Sequence, residues 1–96
     1  MSKQCINYKS ELNDYLKVIN EPNRLKVLCL LKNKEMCVCD IVKTLNLPQN
    51  LVSHHLKVLK DFDLLNSRRE KQKIIYKRQE DIISKYQKLL NKIIKL

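Results

Sequence analysis

The chain of 96 residues is long enough for one domain with a modest hydrophobic core, and domains of this size often bury further surface by dimerising. Its 20 Lys and Arg exceed its 10 Asp and Glu, and the net charge of +10 favours a polyanionic partner, with nucleic acid as the first candidate. Glycine is absent, which excludes a glycine-rich phosphate loop and requires Asn, Asp, Lys and Glu in the turns.

The N-terminal segment and the cysteines indicate the compartment. Residues 1–10 are polar, and no apolar run approaches the roughly 18 residues that a membrane span needs. We therefore expect a cytoplasmic protein with no membrane association. In that reducing compartment the four cysteines are expected to serve metal or redox chemistry rather than a disulfide framework.

The first half of the chain predicts two helices. After a flexible arm over residues 1–7, an apolar stripe at helical spacing predicts a first helix from about Tyr8 to Ile19. Pro22 fits the first turn of a second helix. In that helix the residues at core spacing are Leu25, Leu28, Cys29 and Leu31.

Two short helices joined by a tight turn follow over residues 38–61. The third helix has Cys37 in the cap position and Asp40 three residues later, in the pattern of a capping box. Asn46 and Leu47 form the turn, and Pro48 suits the first position of a fourth helix. That helix is apolar on its inner side and polar and basic on the other, which is typical of a helix-turn-helix.

The remainder predicts a wing over residues 64–78 and a helix over residues 80–96. The two strands are Leu64 to Arg68 and Ile74 to Lys77, and the charged tip between them lacks Asn-Gly or Asp-Gly, so a longer or irregular turn is expected. The terminal helix carries a long apolar stripe that calls for a partner. Pairing with its own copy and with the first helix is the economical arrangement, and packing on its own core is the alternative.

The predicted fold is therefore mainly α, of the α+β class: a winged helix-turn-helix with the order α-α-α-α-β-β-α, homodimeric through the first and last helices. The fourth helix would enter the major groove of double-stranded operator DNA, while the wing contacts the backbone or an adjacent groove. The candidate DNA-binding residues are Gln49, Asn50, Ser53, His54, Lys57, Arg68, Arg69, Lys71 and Lys73. His55 lies on a different face, and we expect it to pack or cap locally.

Several segments resemble one family. Glu35-Met36-Cys37-Val38-Cys39-Asp40-Ile41 resembles the metal-binding box of the ArsR/SmtB family of metal-sensing repressors. Ser53-His54-His55-Leu56 is similar to its recognition helix, Arg24 to Leu28 to its second helix, and Arg68 to Tyr76 to its wing. The resemblance implies a homodimer that represses without metal and leaves DNA when a soft metal or metalloid binds.

The Cys37 and Cys39 pair suits thiophilic effectors, As(III) first, with Cd(II), Pb(II) and Sb(III) as further candidates. A thiol at a helix N-terminus ionises more readily. Residues two apart on a helix point roughly 200° apart, whereas in an extended segment they share a side. We therefore expect binding through both sulfurs to fix or partly unwind the start of the third helix.

A third sulfur is not evident near the pair. Some members of the resembled family carry a further Cys three residues later, where this chain has Val42. The resemblance to Cd/Pb sensors makes Cys5, on the N-terminal arm, the best substitute. Cys29 is the rival, although its apolar stripe favours a plain buried thiol.

Other functions remain as alternatives. The last helix has no His, which argues against a zinc site of the kind that the family forms there. A repressor switched by thiol oxidation or reactive sulfur is one alternative, and a DNA-binding module without ion sensing is another. No enzymatic activity is expected, because no acid, base and nucleophile grouping stands out and a thiol oxidoreductase would use Cys-x-x-Cys.

Overall fold

The computed structural model describes the backbone of residues 3–94 and the side chains of residues 10–94. The elements are α1 (Lys3–Ile19), α2 (Pro22–Leu30), β1 (Met36–Cys37), α3 (Val38–Leu45), α4 (Gln49–Asp61), β2 (Leu65–Glu70), β3 (Lys73–Arg78) and α5 (Glu80–Ile94). The winged helix-turn-helix of the α+β class is confirmed. One element is additional, because the short strand β1 precedes α3.

Helix α1 begins at Lys3, earlier than the predicted start at Tyr8. The backbone of residues 3–7 therefore continues the helix and does not form the predicted arm. Neither Gly nor Pro occurs there to stop the helix. The side chain of Cys5 lies outside the described residues.

Helix α2 begins where Pro22 predicts, but one face differs from the prediction. The Glu21 carboxylate caps the helix by accepting a hydrogen bond from the Arg24 backbone N–H at 3.1 Å. Val27 is buried, whereas Leu25 and Cys29, placed on the core side by the sequence, are exposed. The expectation that Cys29 is a buried thiol is wrong, because α2 turns Val27 and Leu31 toward the core.

The turns are made by the residue types that are expected in a chain without glycine. Residues with positive φ are Asn33 (64°), Asn46 (53°), Asp63 (61°) and Lys71 (56°). Asn and Asp tolerate this region better than other residues with a Cβ, since their short side chains can hydrogen-bond locally. Asn46 forms the left-handed C-cap of α3 and so makes the turn of the helix-turn-helix.

The sheet is antiparallel, with the strand order β1-β3-β2. Its β2–β3 ladder runs from Leu65 opposite Arg78 to Glu70 opposite Lys73. The tip is therefore a two-residue turn, and the prediction of a longer or irregular one is wrong. The strands extend beyond their predicted ends because Lys71 accepts a positive φ, which lets Glu70 and Lys73 pair.

The core lies where α4 packs against α2, α3 and β2, and α1 and α5 extend it. The side chains buried most completely in it are Val27, Leu31, Ile41, Val52, Leu56, Leu59, Leu64 and Leu65. Tyr15 of α1 stacks on Tyr86 of α5, with ring centroids 4.4 Å apart. This core covers the inner side of α4.

Helix α5 divides its apolar stripe between core and surface. Tyr86 and Leu89 are buried within the chain, which supports packing of this helix on its own core, while Ile93 and Ile94 are exposed. None of the helices among residues 3–94 is long and apolar enough to cross a membrane.

Candidate nucleic-acid interface and cysteine site

Helix α4 presents a polar face opposite its buried one. Val52, Leu56 and Leu59 fix the helix on the core. The candidate base-reading and phosphate-contacting residues of this helix are all exposed: Gln49, Asn50, Ser53, His54 and Lys57. The predicted residues of α4 thus share one accessible surface.

Two of these side chains already have local partners. The Asn50 side-chain oxygen accepts a hydrogen bond from the Leu51 backbone N–H at 3.0 Å. The Lys57 ammonium lies 3.2 Å from an Asp61 carboxylate oxygen, in an exposed pair one helical turn apart. Exposed pairs of this kind contribute little, so Lys57 can exchange Asp61 for a phosphate.

His55 is a buried link between α2 and α4, as expected from its place on a different face. Its Nδ1 accepts a hydrogen bond from Arg24 Nε at 3.2 Å, and its Nε2 lies 3.5 Å from a Glu21 carboxylate oxygen. Acceptance at Nδ1 places the proton of the neutral ring on Nε2, facing Glu21. Burial lowers the pKa of His55, against the smaller opposing effect of Glu21.

The wing carries the basic side chains that the sequence predicted, and one of them is engaged within the chain. Arg69, Lys71 and Lys73 are exposed. The Arg68 guanidinium donates to both carboxylate oxygens of Glu35, at 2.8 and 2.5 Å, and to Glu70 at 3.1 Å. These hydrogen bonds lower the pKa of Glu35 and raise that of Arg68.

Arg68 therefore differs from the other phosphate-contact candidates. Two carboxylates already neutralise it, and a two-pronged guanidinium–carboxylate pair fixes both groups in position. Its geometry ties β2 to Glu35, the residue before β1. This partner is not evident from the sequence, because 33 residues separate the two positions.

Cys37 and Cys39 come together at the start of α3. Cys37 is buried in β1 and its Sγ accepts a hydrogen bond from the Asp40 backbone N–H at 3.3 Å, which confirms its position as the helix cap. Cys39 is exposed in the first turn. The two sulfurs are joined as a disulfide.

This contact corrects the geometric expectation. Two sulfurs at this spacing meet without unwinding α3, since Cys37 has extended backbone angles (φ −74°, ψ 157°) while Cys39 is helical. Side chains two residues apart point roughly 200° away from each other only when both residues lie within a regular helix. The two sulfurs therefore meet while the first turn of α3 is intact.

Asp40 belongs to the same cluster. One ligand atom from each of Cys37, Cys39 and Asp40 lies within 4.8 Å of the others. From the sequence, only a capping role is expected for Asp40. Its position beside Cys37 could nonetheless be predicted from the sequence, because in a capping box the residue three positions after the cap lies next to it.

A cleft of about 410 Å³ opens beside the cysteines. Its walls come from the cysteine pair and Val42, from Gln49 and Ser53 of α4, and from the wing tip. The cysteine site and the two elements predicted to contact DNA thus share one cavity.

Strand β1 joins the cysteine site to the wing directly. Met36 pairs with Tyr76, and Cys37 pairs with Ile75 of β3. Glu35, immediately before this strand, holds Arg68 of β2. Cys37 therefore contacts both α3 and the wing, a connection that the sequence did not predict.

The chain is similar in sequence to known regulatory proteins. Residues 21–67 match a family described as "Bacterial regulatory protein, arsR family". The arsenical resistance operon repressor of Staphylococcus xylosus is 36% identical over 78 residues, covering 81% of this chain and 74% of that protein.

Solved structures extend the similarity over the whole fold. The transcriptional regulator HlyU from Vibrio vulnificus superposes with a TM-score of 0.76 and 29% identity, covering 96% of each chain. A homodimeric winged helix-turn-helix DNA-binding domain from Mycobacterium bovis gives a TM-score of 0.69 and 26% identity, covering 86% of this chain and 82% of that one.

Proposed function

Because the chain belongs to the ArsR/SmtB family of DNA-binding transcriptional repressors, we propose that thiophilic ions bound at Cys37 and Cys39 release it from operator DNA. The observation that carries this proposal is the meeting of the two sulfurs beside the DNA-facing elements. Family relatives act as repressors rather than as enzymes.

The donor set favours soft ions. Two thiolates select As(III), Sb(III), Cd(II) and Pb(II) over hard cations, and the Asp40 carboxylate adds one oxygen ligand for the divalent ions. As(III) stands first, since trivalent arsenic bonds strongly to sulfur and the arsenical resistance repressor is a close match in sequence. Cys5 remains a candidate further ligand, whereas Cys29, exposed on α2, has no described contact with the pair.

The polar face of α4 would read the operator. Gln49 and Asn50 carry amides that can pair with adenine in a major groove, with Ser53 and His54 one turn further on. Lys57, Arg69, Lys71 and Lys73 would neutralise phosphates. A homodimer would present two such faces to an inverted repeat.

Release from DNA would begin with the two contacts that Cys37 makes, one with α3 and one with β3. Its sulfur caps α3 by accepting a hydrogen bond from the Asp40 backbone N–H. Its backbone pairs with β3, and the adjoining Glu35 holds Arg68. A ligand on Cys37 would therefore bias both the helix that supports α4 and the wing, within the 1–3 kcal/mol or so that is typical of coupling between sites.

Fluorescence anisotropy tests the proposal. A duplex selected from a random pool by the fully reduced protein is titrated with arsenite, Cd(II) and Pb(II). We expect release from wild type and from Cys29→Ser, and none from Cys37→Ser or Cys39→Ser at the same concentrations. Release that persists in both of those serine variants would contradict the proposal.

A redox switch is the second candidate, favoured by the disulfide between the same sulfurs. Two thiols would give up two protons and two electrons to hydrogen peroxide, which becomes two molecules of water. Adding hydrogen peroxide without metal should then weaken DNA binding reversibly in wild type and leave Cys39→Ser unaffected. Equal DNA affinity of the reduced and disulfide forms would eliminate this alternative.

A further inference from the structure

We propose that the cleft between α3, α4 and the wing tip is a binding site for the phosphate backbone of DNA, with Lys43 and Lys73 as its cations. The proposal rests on the proposed use of the α4 face and the wing in DNA binding. It adds Lys43 of α3, a residue outside the predicted interface, and it assigns a place on the protein to one strand of the duplex.

The cleft lies where a DNA strand has to pass. Gln49 and Ser53 of α4 line it, and so do Gln72 and Lys73 of the wing. Neighbouring grooves of a duplex are separated by one sugar–phosphate strand. A recognition helix in the major groove and a wing on the backbone or in the next groove therefore have that strand between them. Because the cleft lies between the same two elements, the strand crosses it.

The charges in the cleft suit a phosphate. Lys43 and Lys73 are the charged residues among its described lining, which includes no carboxylate. Both lysines are exposed, and neither forms an ion pair with a described residue. Arg68 differs, because Glu35 and Glu70 already neutralise it. The two lysines can therefore bind a phosphate without first leaving a carboxylate partner.

Neutral donors line the same cleft. The side chains of Gln49, Ser53 and Gln72 offer amide and hydroxyl groups, which are common donors to phosphate oxygens in DNA complexes. Gln49 and Ser53 are four residues apart and so share one side of α4. Asn50 and His54, on the same polar face, lie outside the lining of the cleft. The edge of α4 that carries Gln49 and Ser53 is therefore the one beside the strand, which leaves Asn50 and His54 for base contacts.

The cysteine pair shares this cleft. Cys37 and Cys39 form part of its wall, and Cys39 is exposed. A strand that crosses the cleft would cover Cys39. It would leave Cys29 accessible, since that thiol is exposed on α2 and does not line the cleft. DNA and any group bound to the pair would then compete for the same space, and each would weaken the binding of the other.

Salt titrations of the fully reduced full chain on the selected duplex test Lys43. Loss of one phosphate contact lowers the slope of log affinity against log salt by about one for each protomer bound. We expect that loss for Lys43→Gln. Lys32→Gln is the matched control, because it removes one exposed charge from a residue outside the cleft, and its slope should stay as in wild type. An unchanged slope in Lys43→Gln, or an equal fall in Lys32→Gln, would overturn the proposal.

Alkylation of the reduced chain by iodoacetamide tests the path of the strand independently of affinity. Peptide mass spectrometry at low conversion gives the rate of modification at each cysteine. Saturating duplex should slow the modification of Cys39 several-fold and leave that of Cys29 unchanged. Equal rates at Cys39 with and without duplex would show that no strand crosses the cleft.

Neither measurement requires a thiophilic ion, so the two proposals can fail separately. If arsenite, Cd(II) and Pb(II) do not release the duplex, the proposed function is refuted, while the effects at Lys43 and Cys39 would still support the phosphate site. If these ions release the duplex but the Lys43 and Cys39 effects are missing, only the phosphate site is refuted.

Discussion

The residues at the junction of α2 and α4 form a small buried network around His55. Arg24 donates to its Nδ1 and, through another guanidinium nitrogen, to the Val18 carbonyl at 3.0 Å. Glu21 caps α2 and faces the opposite ring nitrogen. The network fixes the back of α4 against α2, so His55 serves the recognition helix without facing DNA.

This network predicts a pH-dependent stability. Burial lowers the pKa of His55, so between its folded value and the unfolded value near 6.5 the unfolded chain binds the extra proton. The free energy of unfolding should therefore decrease as the pH falls from about 7.5 to 5, a range above the usual values for carboxylates. Urea denaturation at fixed protein concentration measures it.

The control uses the neighbouring histidine. His55→Gln removes the titrating group and should flatten this decrease, although it also lowers stability at pH 7. His54→Gln removes only the smallest of the effects that lower the pKa of His55, so most of the pH dependence should remain. Parallel pH profiles for wild type and His55→Gln would show that His55 is not responsible.

Among the structural elements, the sheet is the one that links the cysteine site to the wing. The strand order places β3 between β1 and β2, so the cysteine-bearing strand and the wing share one ladder. Arg68 spans the same three strands through Glu35. The wing is therefore held at its base by hydrogen bonds and an ion pair, while its tip remains exposed.

The two adjacent arginines of β2 should differ in their contribution to DNA binding. Removing an unpaired phosphate contact lowers the slope of log affinity against log salt by about one. We expect that change for Arg69→Gln. For Arg68→Gln the slope should hardly change, because Glu35 and Glu70 already neutralise the guanidinium.

Salt titrations of a fluorescent duplex measure both slopes. Glu35→Gln provides the complementary variant, since it frees Arg68 from its main partner and should steepen the salt dependence. An equal loss of slope in Arg68→Gln and Arg69→Gln would show that the ion pairs of Arg68 open when DNA binds.

At the scale of the whole molecule, two surfaces bear on function. One is the basic wing together with α4, and the other is the set of apolar side chains exposed on the remaining helices. The large apolar side chains exposed outside the wing lie on α1, α2 and α5 and are called the apolar surface here, and Leu16 and Leu25 line one cleft on it. The members of the apolar surface are Leu16, Leu25, Ile93 and Ile94. A second copy of this chain is the expected occupant, through the first and last helices, in line with the homodimeric relative.

A charge placed on this surface should separate the protomers. Leu16→Glu would bury an unpaired carboxylate in the dimer, which costs several kcal/mol, and we expect a monomer at micromolar concentration. Ile74→Glu is the matched control, because Ile74 is equally exposed but lies in the wing (37% against 38%). Sedimentation velocity distinguishes the two, and a dimeric Leu16→Glu would place the interface elsewhere.

The sequence by itself determined the order of the helices, the position of the helix-turn-helix and the cysteine pair. Helical periodicity, Pro22 and the Cys37 cap are local signals, because each depends only on residues a few positions away in the chain. The absence of glycine likewise predicted which residue types would make the turns, and Asn33, Asn46 and Asp63 confirm it.

Only the tertiary structure decided how the cysteine pair connects to the rest. Strand β1 is two residues long, too short to show a pattern, and it exists because β3 supplies its hydrogen bonds. The Glu35–Arg68 pair and the cleft join residues far apart in the chain. Such contacts depend on how the elements pack, whereas caps, turns and helical faces depend on neighbours in sequence.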